Sequence, residues 1–172
     1  MLNSLPQSPE ELLKWEWYQY EPYFRELAGR PLEANTVMEW LEDWSQFSEH
    51  IQEQYTRSYL ATAVHTSDEE AKKQLFKFLD NLYQPAMEAE QTLKKKLLAS
   101  RLQPAGFEVT LRNMRAEADL FRQENLPLLA EEQKLGTQYG ELIGAQTVQW
   151  EGQELTISQL KPVFQNPELD VR

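Results

Sequence analysis

An uninterrupted amphipathic stretch between residues 36 and 64 constrains the fold more than any other feature of the sequence. Its apolar residues recur at helical spacing, while acidic residues occupy the opposite side; the apolar set is Val37, Trp40, Leu41, Trp44, Phe47, Ile51, Tyr55 and Tyr59. This spacing keeps the apolar side chains on one face of an α-helix. At 1.5 Å per residue the helix would be roughly 40 Å long, which predicts a long bundle or an α lobe. Either Asn35 or Thr36 is able to cap its first turn.

A first, shorter helix is predicted before this stretch. Ser8 followed by Pro9 and two glutamates is a typical helix start, because serine caps free amides and acids suit the positive end of the helix dipole. Pro22 is expected to bend or split this helix, and the sequence Gly29-Arg30-Pro31 is expected to end it.

Further helices are predicted after residue 66. Ser67 and Glu70 have the spacing of a capping box, and the helix that follows is expected to kink about one turn before Pro85. A break at 103–106 separates it from helices at about 107–123 and about 126–144.

The period of the apolar residues changes from 3.6 to 2 near residue 147. The sequence Thr147-Val148-Gln149-Trp150, then Glu151-Gly152, then Gln153-Glu154-Leu155-Thr156 predicts a hairpin with a two-residue turn. In that register Val148 faces Leu155 and Trp150 faces Gln153. One side of the hairpin is therefore apolar, and we expect it to be covered by the helices or by polypeptide outside these 172 residues.

These patterns together predict a mainly α fold, with long antiparallel helices in a bundle-like lobe and one short β-hairpin near 147–156. A length of 172 residues suits a single domain spanning 1–172, and the low glycine content, six residues, favours helices over a turn-rich β protein.

The charge distribution argues against several classes of partner. The chain carries a net charge of −11, and its first 55 residues hold eleven acidic residues against three basic ones. Such a surface repels phosphate, so no nucleic-acid partner is expected. The basic run Lys94-Lys95-Lys96 is interpreted as a solvated helix face. No apolar run is long enough to span a bilayer, so no membrane partner is expected either.

Motifs for catalysis are missing from the sequence. There is no cysteine, there are only two histidines, and neither His50 nor His65 belongs to an HExxH motif. His50 lies between Glu49 and Glu53 and could bind a metal ion weakly. A surface histidine among acidic residues is the simpler interpretation. We therefore predict no catalytic, cofactor-binding or metal-binding residue in this chain.

Two other sets of residues invite a structural interpretation. The tryptophans Trp15, Trp17, Trp40 and Trp44 could line a ligand groove, but their helical spacing favours a place in the core. Gly136, Gly140 and Gly144 recur every four residues, which predicts a close approach between this helix and a neighbour.

The stretches 113–128, 131–135 and 144–152 resemble the N-terminal helical region of the oligoendopeptidase F family of zinc metallopeptidases. The resemblance covers about residues 36–172, is strongest over 113–160, and is weak over a leading helix within 1–34. It implies an α-helical region that packs over a larger catalytic domain and helps to enclose a channel for short peptides. In that family the HExxH motif lies further along the chain, so the resemblance assigns no catalytic or zinc-binding residue here. Zinc is expected only in the longer protein.

A helix start at Asn166-Pro167-Glu168 supports the same expectation, because the chain ends within the first turn of the helix that it announces. The sequence therefore predicts the N-terminal piece of a zinc-dependent oligopeptidase, inactive alone, whose main partner is the catalytic domain of the same protein. The alternative is a free-standing, acidic, helical protein–protein interaction module. The first residues, Met1-Leu2-Asn3-Ser4-Leu5-Pro6, lack the features of a signal peptide, so a cytoplasmic location is expected.

Overall fold

The protein is mainly α-helical with one two-stranded antiparallel sheet, as the sequence predicts. The computed structural model describes residues 5–165. The helices are α1 (Pro9–Leu12), α2 (Trp17–Gly29), α3 (Val37–Val64), α4 (Glu69–Phe78), α5 (Gln84–Ser100), α6 (Glu108–Leu120), α7 (Leu126–Gly144) and α8 (Ile157–Phe164). The strands are β1 (Thr147–Trp150) and β2 (Gln153–Thr156). The helix start expected at Asn166-Pro167-Glu168 lies outside the described residues.

Helix α3 is the centre of the molecule and confirms the prediction for residues 36–64. Its apolar stripe is buried from Val37 to Ile51, and Trp40 and Phe47 are almost fully enclosed. The stripe becomes exposed towards the end of the helix, where Tyr59 is 46% exposed. Burial of large aromatic side chains supplies much of the apolar area that stabilises the fold.

The predicted first helix is split, but not at Pro22. Ser8 caps α1 as expected, accepting a hydrogen bond from the Glu11 amide. The chain then leaves helical conformation after Leu13, and α2 continues through Pro22 to Gly29. Pro22 is the sixth residue of α2, so the helix continues through it without the bond that an amide there would make to the Tyr18 carbonyl.

The region around Pro85 contains the expected disturbance one turn upstream. A π-helical turn, Leu79–Tyr83, joins α4 to α5 immediately before this proline. The predicted Ser67–Glu70 capping box is wrong by one residue, because the Asp68 carboxylate caps α4 by accepting from the amides of Glu70 and Ala71, both at 3.0 Å. A carboxylate at the N-cap accepts from these free amides and, being charged, also suits the positive end of the helix dipole.

Polar contacts between helices show the direction in which neighbouring helices run. The antiparallel pair α2 and α3 is tied by Tyr20, whose hydroxyl donates to Oε1 of Gln54 at 3.2 Å. Helix α6 packs antiparallel to α5, where Lys94 lies 2.6 Å from Glu117. Helix α7 instead runs parallel to the end of α3, since the Tyr55 hydroxyl donates to Gln133 and Gly144 lies beside Thr66.

The hairpin has the predicted register, with Val148 opposite Leu155 and Trp150 opposite Gln153. Glu151 and Gly152 both adopt positive φ, 49° and 79°, as a two-residue hairpin turn requires. Helix α8 follows without a gap and was not predicted. It starts at a Thr156–Gln159 capping box in which the Gln159 side chain accepts from the Thr156 amide at 2.8 Å.

The close helix approach that the sequence predicts at the glycines of α7 is not found at Gly136 or Gly140. A Cβ atom at Gly136 or Gly140 would have no neighbour within 4 Å, and only one at Gly144 would contact another side chain, that of Thr66. Two of the three glycines therefore face open space within the described part of the chain. Across residues 5–165, no helix combines the length and hydropathy of a transmembrane span.

Candidate functional site

A groove runs along α3 and is closed on its other side by α5 and α6. It consists of two adjoining cavities of about 440 and 280 Å³, which share Ser45, Ser48 and Glu90 as walls. We call it the Glu90 groove. The α3 residues along it, Met38, Leu41, Ser45, Ser48 and Gln52, recur in steps of three and four and so lie on one helix face.

The larger cavity is mostly apolar. Leu41 and Trp44 line it from α3, and Phe107 and Met114 line it from the start and middle of α6. Met38 is 44% exposed at its rim, although methionine is usually buried. Apolar walls that are open to solvent are typical of ligand and peptide sites.

Glu90 places a carboxylate between the two cavities. Its Oε2 atom accepts a hydrogen bond from the indole N–H of Trp44 at 2.9 Å, and its Oε1 atom accepts one from the Ser48 hydroxyl. Burial raises the pKa of Glu90 above its usual value, and the hydrogen bonds from Ser48 and Trp44 and the charge of Lys94 partly oppose this. The two donors hold the carboxylate in one orientation against α3.

The basic run on α5 is only partly the solvated face that the sequence predicts. Lys95 is exposed, but Lys94 pairs with Glu117, and the Lys96 ammonium donates to the carbonyl oxygens of Leu27, Ala28 and Arg30. Carbonyls at a helix C-terminus lack partners within the helix and attract cations. Lys96 therefore fastens α5 to the end of α2.

A second candidate site is an exposed apolar surface near the C-terminal end of the described chain. Leu128, Leu135, Tyr139 and Leu142 lie on one face of α7 and are each more than half exposed. Ile157 and Phe164 of α8 are also exposed. We call these residues the C-terminal apolar surface. Exposed apolar patches on proteins often mark interaction sites, and the face of α7 alone brings four such side chains together.

The hairpin leaves part of its apolar side uncovered. Val148 is 41% exposed, while Trp150 and Leu155 are half-buried. The described part of the chain thus covers this side only in part, and its contact with polypeptide outside these 172 residues stays a prediction.

The residues considered for metal binding are engaged in other contacts. The His50 ring nitrogens lie 2.7 and 3.3 Å from the carbonyl oxygens of Gln46 and Pro6. Glu53 pairs with Arg57 at 2.6 Å, and Glu49 accepts from the Ser45 hydroxyl. Within residues 5–165, no group of three or more acidic or histidine side chains is arranged to hold a metal ion. His65 occupies the C-cap position of α3, where its backbone amide donates to the Ala61 carbonyl.

The tryptophans divide between core and groove. Trp40 and Trp44 are buried, whereas Trp15 and Trp17 are half-buried and pack against the core from outside. The preference for a core position is thus confirmed for Trp40 and Trp44, although Trp44 also lines the Glu90 groove. Trp15 and Trp17 instead line a separate surface cavity.

Comparisons with protein-family models, with curated proteins and with solved structures find no match for this chain.

Proposed function

We propose that this chain is the N-terminal helical region of a zinc-dependent oligopeptidase of the oligoendopeptidase F type. In this proposal it forms part of the wall of a channel for short peptides, and a catalytic region of the same protein covers one side of it. The observation that carries the proposal is a coincidence of two features. The segment that most resembles the family, 113–160, also holds most of the C-terminal apolar surface.

The exposure of this surface supports a large apolar partner. Leu128, Leu142 and Tyr139 are 67%, 69% and 66% exposed. Burying a leucine side chain fully contributes about 1.5–3 kcal/mol, so a region that covers this face would gain substantial free energy. A catalytic region seated on α7, the hairpin and α8 would provide that cover.

The described residues do not fit a zinc site, so no hydrolytic step is assigned to them. Zinc in the longer protein would lower the pKa of a bound water and so generate the nucleophile. The residues of this chain would exclude water and position the substrate. The lack of cysteine is compatible with a reducing compartment, and we propose the cytoplasm.

The reading frame downstream of Arg172 is the first test. Several hundred further codons that include an HExxH motif would support the proposal, whereas a stop codon directly after Arg172 would refute it. The downstream polypeptide, expressed separately, should then bind this chain and cleave a quenched peptide faster in its presence.

Two charge substitutions make the binding test specific. Leu142→Glu on the C-terminal apolar surface should weaken the association, while Tyr18→Glu should leave it unchanged. Tyr18 is the matched control because its exposure, 66%, is close to the 69% of Leu142, but it lies on α2. Equal effects of both substitutions would show that the C-terminal apolar surface is not the surface that binds the catalytic region.

The alternative is a free-standing, acidic, helical interaction module. The Glu90 groove favours it, because the groove lies wholly within this chain and combines apolar walls with carboxylates. A stop codon after Arg172, together with peptide binding by the isolated chain, would favour this alternative over the peptidase.

A further inference from the structure

The length of the Glu90 groove indicates how long a peptide would fill it. The groove follows α3 from Met38 to Gln52, fourteen residues apart in the sequence. At 1.5 Å per residue this is about 21 Å. An extended peptide advances about 3.3 Å per residue, so roughly six residues would fill the groove. A compact amine or a single side chain would fill only part of it.

The acidic residues that line the groove indicate which charge the peptide should carry. Glu42, Glu49 and Glu90 line the two cavities, and none of the described lining residues is a lysine, arginine or histidine. An acidic lining disfavours acidic peptides and attracts basic ones.

The walls suit the stem of a basic side chain as well as its charged end. Leu41, Phe107 and Met114 offer apolar contacts in the larger cavity, directly beside Glu90. Lysine and arginine side chains commonly lay their methylene stems along apolar surface while the charged end reaches a polar partner.

Glu90 is oriented in advance for such a partner. Trp44 and Ser48 each donate one hydrogen bond to its carboxylate, on different oxygens. An ionised carboxylate offers about four lone-pair sites, so each oxygen retains capacity for a further donor. A partner that neutralises Glu90 would also offset the cost of keeping a carboxylate among apolar walls.

We propose that the Glu90 groove binds an extended peptide of about six residues, and that a basic side chain near its middle lies along Leu41 and Met114 and donates to Glu90. The site lies entirely within this chain and does not depend on the catalytic region. It would add a preference for basic residues to the peptide channel proposed above.

The test uses the whole 172-residue chain and a hexapeptide probe, acetyl-Ala-Leu-Lys-Leu-Ala-Ala-amide. The Trp44 indole N–H, which donates to Glu90, is the reporter in proton–nitrogen NMR titrations at low salt. The lysine peptide should shift this signal in a saturable manner. A peptide with norleucine in place of lysine, which keeps the stem and removes the charge, should bind about tenfold more weakly or not at all.

Variants and a small amine complete the test. Glu90→Gln should lose most of the affinity while its melting temperature shows that it folds, and Glu39→Gln, an exposed position of α3 outside the groove, should bind like the unmodified chain. Equal affinity of the lysine and norleucine peptides would overturn the proposal even if Glu90→Gln failed to fold. Equal affinity of n-butylammonium and the lysine peptide would overturn the peptide as occupant.

The outcomes separate this inference from the proposed function. Peptide binding that requires Glu90, combined with a stop codon after Arg172, would support the groove and refute the peptidase. If the reading frame continues into an HExxH region but the chain does not bind the peptide, the proposed peptidase is supported and the peptide site in the Glu90 groove is refuted.

Discussion

The ammonium nitrogen of Lys96 on α5 lies 2.7 Å from the carbonyl oxygen of Ala28, the penultimate residue of α2. The same ammonium also donates to the carbonyl oxygens of Leu27 and Arg30. Each of these carbonyls is in the last turn of α2 or just after it, where the helix itself supplies no donor. One side chain from a distant part of the sequence thus completes the end of a helix that packs beside α5.

The first prediction concerns the stability of this contact. Lys96→Met keeps an unbranched apolar stem but removes the ammonium group and with it all three hydrogen bonds. Hydrogen bonds from charged donors contribute about 1.5–3 kcal/mol, so unfolding should cost about 1–3 kcal/mol less in the variant. Urea unfolding followed by circular dichroism measures this difference.

Lys95→Met is the matched control for Lys96→Met. Lys95 is the exposed neighbour in the same run, and substitutions of exposed residues usually change stability by less than about 0.5 kcal/mol. Equal effects at the two positions would contradict a specific role for the contact between Lys96 and α2.

The second prediction concerns the pH dependence caused by Glu90. Burial raises the pKa of this carboxyl above 4.5, so the folded chain holds its proton at pH values where the unfolded chain has released it. The contribution of Glu90 to stability therefore falls as the pH rises from about 4 through its raised pKa. Glu90→Gln cannot ionise and lacks this loss.

The difference between the two proteins is the quantity to measure. Urea unfolding at a series of pH values should show the stability of Glu90→Gln, relative to the unmodified chain, rising as the pH increases from about 4 through the raised pKa of Glu90. A constant difference over this range would show that the folded environment does not disfavour ionised Glu90. Glu39→Gln, at an exposed position, serves as the reference for a general effect of removing one acid.

The helices that repeat a single pattern over many residues are those that could be predicted from sequence. The apolar stripe from Val37 to Ile51 predicted the position of α3 almost to the residue. The Glu151-Gly152 turn predicted the register of the hairpin. Helix α8 was missed because its eight residues are too few to show a period beside the hairpin, although Thr156 and Gln159 have capping-box spacing.

The candidate site could not be predicted in the same way. Glu90 lies in an ordinary helical sequence, and its role depends on Trp44 and Ser48, more than forty positions earlier. Lys96 likewise resembles any surface lysine until α2 is placed beside it. Local periodicity reports which face of a helix is apolar, but it does not report which residues of other helices lie opposite.

The third prediction concerns catalysis by the isolated chain. We expect the purified 172-residue chain to retain no stoichiometric zinc and to leave a quenched peptide uncleaved, because no described cluster of side chains is arranged to hold the metal. Elemental analysis after dialysis and a fluorescence assay measure the two quantities. Stoichiometric zinc accompanied by turnover would contradict this prediction. It would also contradict the proposal that catalysis belongs to another region of the longer protein.

The fourth prediction concerns the hairpin turn. Gly152 has a φ of 79°, a conformation that disfavours a side chain, and Gly152→Ala should destabilise the hairpin by about 1 kcal/mol. Faster amide hydrogen exchange in β1 and β2, with unchanged exchange in α3, is the expected result. Unchanged exchange in the hairpin would show that the turn tolerates alanine and relaxes without cost.

The fifth prediction follows from the open space around α7. Gly140 lies inside this helix, and an alanine Cβ there would meet no neighbouring atom within 4 Å. Alanine is favoured over glycine in a helix by up to about 1 kcal/mol, so Gly140→Ala should raise the stability of the isolated chain by about 0.5–1 kcal/mol. For a chain of this length that corresponds to a rise in melting temperature of about 1–4 °C.

A fall in melting temperature would instead mean that another surface, such as that of a second copy, approaches α7 closely at this glycine. Repeating the measurement over a range of protein concentrations separates the two cases, because only an association contact makes the effect of the substitution depend on concentration.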